Sequence, residues 1–327
     1  MKLVFEKRLE RSQTAALLVP VVSIVLALVF GGILLTVAGA DPWETYKAMA
    51  VGAFGARYSI SETLVKAIPL MLTGLAVAIA FRMLFWNIGA EGQLAMGGIA
   101  AAGAGLFWAE KLPAPLVLPA MLLAGFAAGG VWGLIPAALK AYLGVNEIIT
   151  TLMMNYIAIL AVDHLYVGPW KDPQGYGFPG TAQFAKVAWL PRLTGRVHLG
   201  IVFAVVAALF IWIVLDRTRW GYEIRVIGEN PRAARYAGIS IVRNILLVML
   251  LSGGLAGVAG MSEVAGISHR LQQGLTVGYG YTAIIVAWLA KLNPWGVLLV
   301  AVLLAGLLVG GDQIQISMGL PAAVALV

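Results

Sequence analysis

The chain has 327 residues, of which 61% are hydrophobic and 11% charged, with a net charge of +7 and no cysteine. A soluble domain carries charge on about a quarter of its residues, so this composition belongs to a polytopic membrane protein. It excludes disulfides and thiolate metal sites, and the basic excess, confined to membrane flanks, leaves no soluble basic domain for nucleic acid.

Apolar runs near or above the roughly 20 residues that cross a bilayer occupy 14–38, 68–108, 114–139, 148–167, 199–215, 245–261 and 294–311, with a weaker one at 274–290. The run 68–108 carries only Arg82 and Glu91 as charges and is long enough for two spans, so nine spans are expected. Lys2, Lys7, Arg8 and Arg11 precede the first run, which is too long for a signal peptide and lacks a small-residue cleavage pattern; it is a retained span. With the N-terminus cytoplasmic, Arg82, Lys140, the six arginines between Arg217 and Arg243, and Lys291 all fall inside, as the positive-inside rule requires. The long loop 168–198 is then periplasmic.

Residues 111–130 align without gaps on 292–311, 181 positions later, with nine identities in 20, among them Pro113 with Pro294 and Gly129-Gly130 with Gly310-Gly311. The match pairs the fourth span with the ninth, an odd offset that inverts orientation, and inverted repeats place a translocation path near the repeat interface. By the same pairing a tenth span, the counterpart of the fifth, would begin soon after Gly319, where only eight residues follow, so the last span is expected to be absent from this chain.

Asn87-Ile-Gly-Ala-Glu-Gly-Gln93 is the sharpest polar feature at membrane depth. Asn87 and Glu91 share a helical face, and an ionisable group there is either functional or part of a hydrated hairpin turn near Arg82. Asn146 and Glu147 start the fifth span, Asn146 as an N-cap, and Asn155 lies two turns in. Before the eighth span, 271–280 is again polar and Gly-rich. Gln272, Gln273 and Tyr279 there either bind a polar solute or sit in water, and by the inversion they lie at the mouth opposite Asn87 and Glu91. His164, His198 and His269 lack metal-ligand spacing, so no metal site is expected.

Between the sixth and seventh spans, the loop 216–243 is an arginine-rich island. Asn230 is a good N-cap, Pro231 suits the first helical position and Gly238 can close the helix. A short helix through Arg232, Ala233, Ala234 and Arg235 is therefore expected at the membrane surface. No Gly-x-x-x-x-Gly-Lys motif or nucleophile elbow occurs, so chemistry by this chain alone is not expected.

The runs Phe85-Trp-Asn-Ile-Gly-Ala-Glu-Gly-Gln-Leu-Ala-Met-Gly-Gly, Gly144-Val-Asn-Glu-Ile-Ile-Thr-Thr-Leu-Met-Met-Asn and Gly228-Glu-Asn-Pro-Arg-Ala-Ala-Arg-Tyr-Ala-Gly-Ile together resemble the permease subunits of bacterial ABC importers, in the branch for nucleosides and simple sugars, related to the ribose and branched-chain amino-acid permeases. The resemblance implies an all-α, ten-span type II importer fold with an inverted repeat, forming a single permease domain over 1–327 in the cytoplasmic (inner) membrane. It also implies a cytoplasmic ABC ATPase that binds ATP and Mg, a second permease subunit expected to be a different chain, and an extracytoplasmic binding protein or lipoprotein; the chain itself binds no cofactor. The ATPase contact falls on Gly228, Glu229, Asn230, Pro231, Arg232, Ala233, Ala234, Arg235 and Gly238. The candidate path residues are Asn87, Glu91, Gln93, Asn146, Glu147, Asn155, Gln272, Gln273 and Tyr279. Purine nucleosides are the favoured solute and simple sugars the alternative. An ion-coupled secondary transporter is the competing class, for which only Glu91 offers a mid-span carboxylate.

Overall fold

The computed structural model describes residues 13–37, 39–319 and 321. The four N-terminal basic residues and the stretch where a tenth span would begin lie outside the described residues. The chain forms two compact units, one of residues 1–56 with 307–327 and a larger one of residues 57–306.

In the smaller unit, α1 (Gln13–Val37) and α2 (Pro42–Phe54) meet at 114°, the second capped by the Asp41 side chain, which accepts the Glu44 N–H. The Tyr46 hydroxyl donates to the Leu28 carbonyl across the bend. The end of the last helix completes this unit, with Gly52 against the Gln313 side chain and Gly310 against the Met49 backbone.

The larger unit holds α3 (Arg57–Arg82), α4 (Ala90–Phe107), α5 (Ala114–Leu143), α6 (Glu147–Val167), α7 (Gly200–Arg217), α8 (Arg219–Glu229), α9 (Pro231–Tyr236), α10 (Ile241–Glu263, continued by a π-helical turn Val264–Ser268), α11 (Tyr279–Leu289) and the start of α12 (Pro294–Met318). Helix α10 packs against α3, α4 and α5, and α3 is buried along nearly its whole length. The packing is made by small residues, as expected where the surrounding lipid is as apolar as leucine. A Cβ on Gly257 would lie 2.1 Å from the Gly125 carbonyl oxygen, one on Gly253 2.3 Å from that of Gly129, and one on Gly260 2.0 Å from that of Leu94.

Among the described residues, six helices are long and apolar enough to cross a membrane, or seven if the bent pair α1–α2 counts as one span. By that measure two of the nine expected spans, those at α4 and α11, fall short, and each joins a non-helical stretch to a helix. After α3, residues 83–89 leave helical geometry, with Leu84 at φ 55°, a conformation unfavourable to a side chain. They lead into α4, where Glu91, Gln93 and five glycines dilute the apolar character. The weak run at 274–290 is helical only over the 11 residues of α11, about 17 Å or half a bilayer core.

One end of this unit carries the loop 168–199, with a short hairpin of β1 (Arg192–Thr194) and β2 (Val197–His198). Its backbone hydrogen-bonds to residues 265–271, and Arg196 pairs with Glu62 near the start of α3 at 2.8 Å. The opposite end carries α8 and α9. Helix α9 forms as its sequence dictates, the Asn230 side chain accepting the Arg232 and Ala233 N–H groups, Pro231 at the first position and Gly238 at φ 73° beyond the end.

Candidate functional site

The centre of the larger unit is a polar joint where the two broken spans meet. Asn87 donates to the Ser252 hydroxyl at 2.9 Å and exchanges hydrogen bonds with the Gln93 amide at 3.0 Å; Ser252 in turn donates to the Ala76 carbonyl. Ser252 lies near the middle of the Ile241–Ser268 span, so this network is at mid-depth. Glu91 is 1% exposed, and its carboxylate accepts the N–H groups of Gly278 at 2.8 Å and Gly280 at 2.6 Å, at the start of α11. Only glycine fits at position 280, since a Cβ there would lie 2.2 Å from the Glu91 nitrogen. From α6, Asn155 accepts the Gly92 N–H at 2.8 Å and donates to the Ile88 carbonyl and the Tyr281 hydroxyl. The first N–H groups of a helix have no partner within it. Asn155 therefore caps α4 from a neighbouring helix, as Glu91 caps α11.

The expected path residues separate into three places. Asn87, Glu91, Gln93 and Asn155 gather at the joint, and Tyr279 stands between the two glycines that Glu91 holds. Placing Tyr279 at one mouth and Asn87 with Glu91 at the other is therefore wrong. Residues 269–278 descend from the loop end and 83–89 rise from the α8–α9 end, so their starts of helix meet midway. Gln272 and Gln273 remain at the loop end, lining a cavity of about 440 Å³ with Asp172, Tyr176, Phe178 and Arg270. Asn146 and Glu147 are at the α8–α9 end. There Asn146 caps α6, and Glu147 pairs with Lys140 at 2.7 Å beside a cavity of about 420 Å³ that Arg235 also lines. Neither Tyr281 nor Ser252 was singled out in the sequence; a serine within an apolar run was the available signal for Ser252.

At the α8–α9 end, Arg232, Ala233 and Arg235 are exposed, as is Tyr236 at 94%, whereas Ala234 is fully buried and anchors α9 from inside. Gly228 on α8 abuts the end of α3, where a Cβ would lie 2.1 Å from the Arg82 carbonyl oxygen and 3.4 Å from Met83 Cα. The α8–α9 segment thus bears directly on the stretch that leads to Asn87 and Glu91.

At the loop end His198 is fully buried, its Nδ1 accepting the Gly200 N–H, and burial with the nearby charges of His269 and Arg192 pushes its pKa down to about 4. His269 stacks on Trp189 at 3.9 Å and is likewise shifted down, chiefly by burial. Among the described residues, no three His, Asp or Glu side chains gather as a metal site.

Residues 59–327 match the family described as the permease component of the branched-chain amino acid transport system. The chain belongs to this permease family. Its relatives include the guanosine ABC transporter permease protein of Bacillus subtilis, 39% identical over 94% of this chain and 89% of that protein. The glucose ABC transporter permease protein of Haloferax volcanii is 38% identical over 93% and 82%, and the nucleoside ABC transporter permease protein of Lactococcus lactis 31% over 91% and 85%. No solved structure matches. The permease is accordingly a multi-pass membrane subunit of an ABC importer, not an enzyme; ATP is used by a partner ATPase.

Proposed function

We propose that this permease moves nucleosides, purine nucleosides foremost, inward across the cytoplasmic membrane. Its single permease domain would have the N-terminus and the loop 216–243 in the cytoplasm and the loop 168–198 in the periplasm. The observation that carries the reading is the joint of Glu91, Asn155 and Gly280 at mid-depth, mechanically continuous with α8 and α9 through Gly228 and Arg82. In this reading the ATPase docks on the exposed Arg232, Ala233 and Arg235, with Gly228 to Gly238 as the coupling segment. Its closure on ATP moves that segment and switches access to the joint. The path residues are Asn87, Glu91, Gln93 and Asn155 with Tyr279; Gln272 and Gln273 face the extracytoplasmic binding protein, and Asn146 and Glu147 border the cytoplasmic exit. A second permease subunit, a different chain, completes the path.

A ten-span inverted repeat is part of the proposal. Adding 181 to α3, α4 and α5 gives 238–263, 271–288 and 295–324, against helices at Ile241–Glu263, Tyr279–Leu289 and Pro294–Met318. In both triplets a full span is followed by a stretch that turns back to mid-depth. The counterpart of α6 falls outside the described residues.

Two relatives named for guanosine and nucleosides support the solute, and the relative named for glucose makes simple sugars the second reading. The test is ATP-dependent uptake into vesicles holding the assembled transporter. Labelled guanosine should accumulate and unlabelled nucleosides should compete; uptake of glucose but not guanosine would move the assignment to sugars.

A further inference from the structure

We propose that the Glu91 carboxylate is a releasable pin that keeps the joint closed, and that α8 is the lever that withdraws it. The inference rests on the reading that the joint lies in the translocation path.

The contact between α4 and α11 has an unusual construction. At Gly280 the apposed surfaces meet backbone against backbone, the nearest atoms to a Cβ there being the Glu91 nitrogen, the Glu91 Cα and the Ala90 carbonyl carbon. Such surfaces can slide or part with little repacking. The direct hydrogen bonds that join them are those of one carboxylate to two neutral N–H groups, Gly278 and Gly280, with no salt bridge to Glu91 among the described residues, while Asn155 bridges Gly92 and Tyr281 beside them. Hydrogen bonds of this length are directional and weaken steeply with misalignment, so a displacement of about 1 Å suffices to break both. A buried ion pair would hold over a longer range.

The carrier of the pin is also the piece that α8 touches. Residues 83–89 follow directly on Arg82, which with Met83 leaves no room for a Cβ at Gly228. They end at Gly89, whose N–H is accepted by Asn87, while Asn87 is tethered through Ser252 to the Ala76 carbonyl. A push on Arg82 is thus delivered to a short non-helical stretch fixed at Asn87, four residues before Glu91. Glu91 is in this role a positioning residue, acting on α11 rather than on the solute.

The absence of native cysteine makes the test direct. Single cysteines replace Ala95 and Ala283, both fully buried and about one turn beyond Glu91 and Gly280, and Ala67, equally buried but far along α3. Each is exposed, in membranes carrying the assembled transporter, to a membrane-impermeant maleimide, and labelling of the permease is followed. In the native background all three should stay unlabelled without nucleotide, and Ala95→Cys and Ala283→Cys should label at least ~10-fold faster when ATP and vanadate trap the ATPase closed. With Glu91→Gln, nearly the same shape but able to accept only one of the two N–H groups, both should label at the fast rate without nucleotide while Ala67→Cys stays unlabelled. Gly280→Ala, which forces the same surfaces apart, should do likewise. Native-rate labelling in both variants overturns the pin. Labelling of Ala67→Cys as well overturns it too, since Glu91 would then be holding the whole fold together. No solute enters this measurement, so a failure of guanosine uptake by the native transporter would count against the proposed solute and leave the pin standing.

Discussion

Asn155 offers the sharpest test of how the joint is held. Replacing it with leucine keeps the volume and removes three hydrogen bonds, to the Gly92 N–H, the Ile88 carbonyl and the Tyr281 hydroxyl. Side-chain hydrogen bonds between membrane helices contribute about 0.6 kcal/mol on average, so three amount to roughly 2 kcal/mol. Gly92 is the third residue of α4, so its N–H has no partner within the helix, and orphaning a buried donor costs about 1–3 kcal/mol. Part of that penalty is already counted in the lost bond, which leaves a total of about 2–4 kcal/mol. Tyr281→Phe breaks only one of the three and should cost about 0.6 kcal/mol. Thermal unfolding of the detergent-solubilised chain measures both. One kcal/mol moves Tm by about 2–4 °C in chains of 150–250 residues, and by less in a longer one. Asn155→Leu should therefore lower Tm by several degrees and Tyr281→Phe by about one. Equal shifts, or an Asn155→Leu shift near zero, would show that α6 does not cap α4 and would refute the reasoning.

Reversing charge at the exposed Arg232 and Arg235 should abolish co-purification with the ATPase and leave the Tm of the solubilised permease unchanged, whereas Ala234→Glu, buried in α9, should lower Tm as well; a normal pull-down with both arginines reversed would remove α9 from the docking surface. Gly257→Val should destabilise by at least about 1–3 kcal/mol through overpacking against the Gly125 carbonyl, seen as lost monodisperse protein on size exclusion, whereas Gly177→Val, with nothing within 4 Å but φ 90°, should cost only backbone strain. His198 has a folded pKa near 4 against 6.5 unfolded, so the unfolded chain binds the proton more tightly below pH 6.5. Its neutral form contributes stability that is fully present above pH 6.5 and is lost as pH falls toward 4, by up to about 3 kcal/mol; in His198→Gln the slope of Tm between pH 6.5 and 4 should flatten, and an unchanged slope would assign it to other groups.

The class of this protein was fixed by amounts that need no tertiary contact. Apolar runs of bilayer length, the scarcity of charge and the lack of cysteine left only a polytopic membrane protein, and local rules set the ends of α6 and α9 because Asn146 and Asn230 satisfy N–H groups two and three residues away. The polar residues at the joint were also legible one at a time, since burying Asn87, Glu91 or Asn155 in hydrocarbon demands a partner. Apart from Asn87 with Gln93, six positions on, which partner it is depends on contacts across 63 to 189 positions of sequence, such as Gly92 with Asn155 and Gly280 with Glu91. Hydropathy averages over a window and cannot register that residues 83–89 and 269–278 run to mid-depth without helix, so two broken spans read as whole helices and Tyr279 was assigned to the mouth opposite Glu91. The inward side of Ala234 and the seat of Gly228 on Arg82 were likewise decided by packing, because an alanine or a glycine in a polar loop carries no periodic signal of its own. Tertiary structure decided what the glycines are for: at 228, 257 and 280 their role is the absence of a side chain, visible only when the opposing backbone is in place.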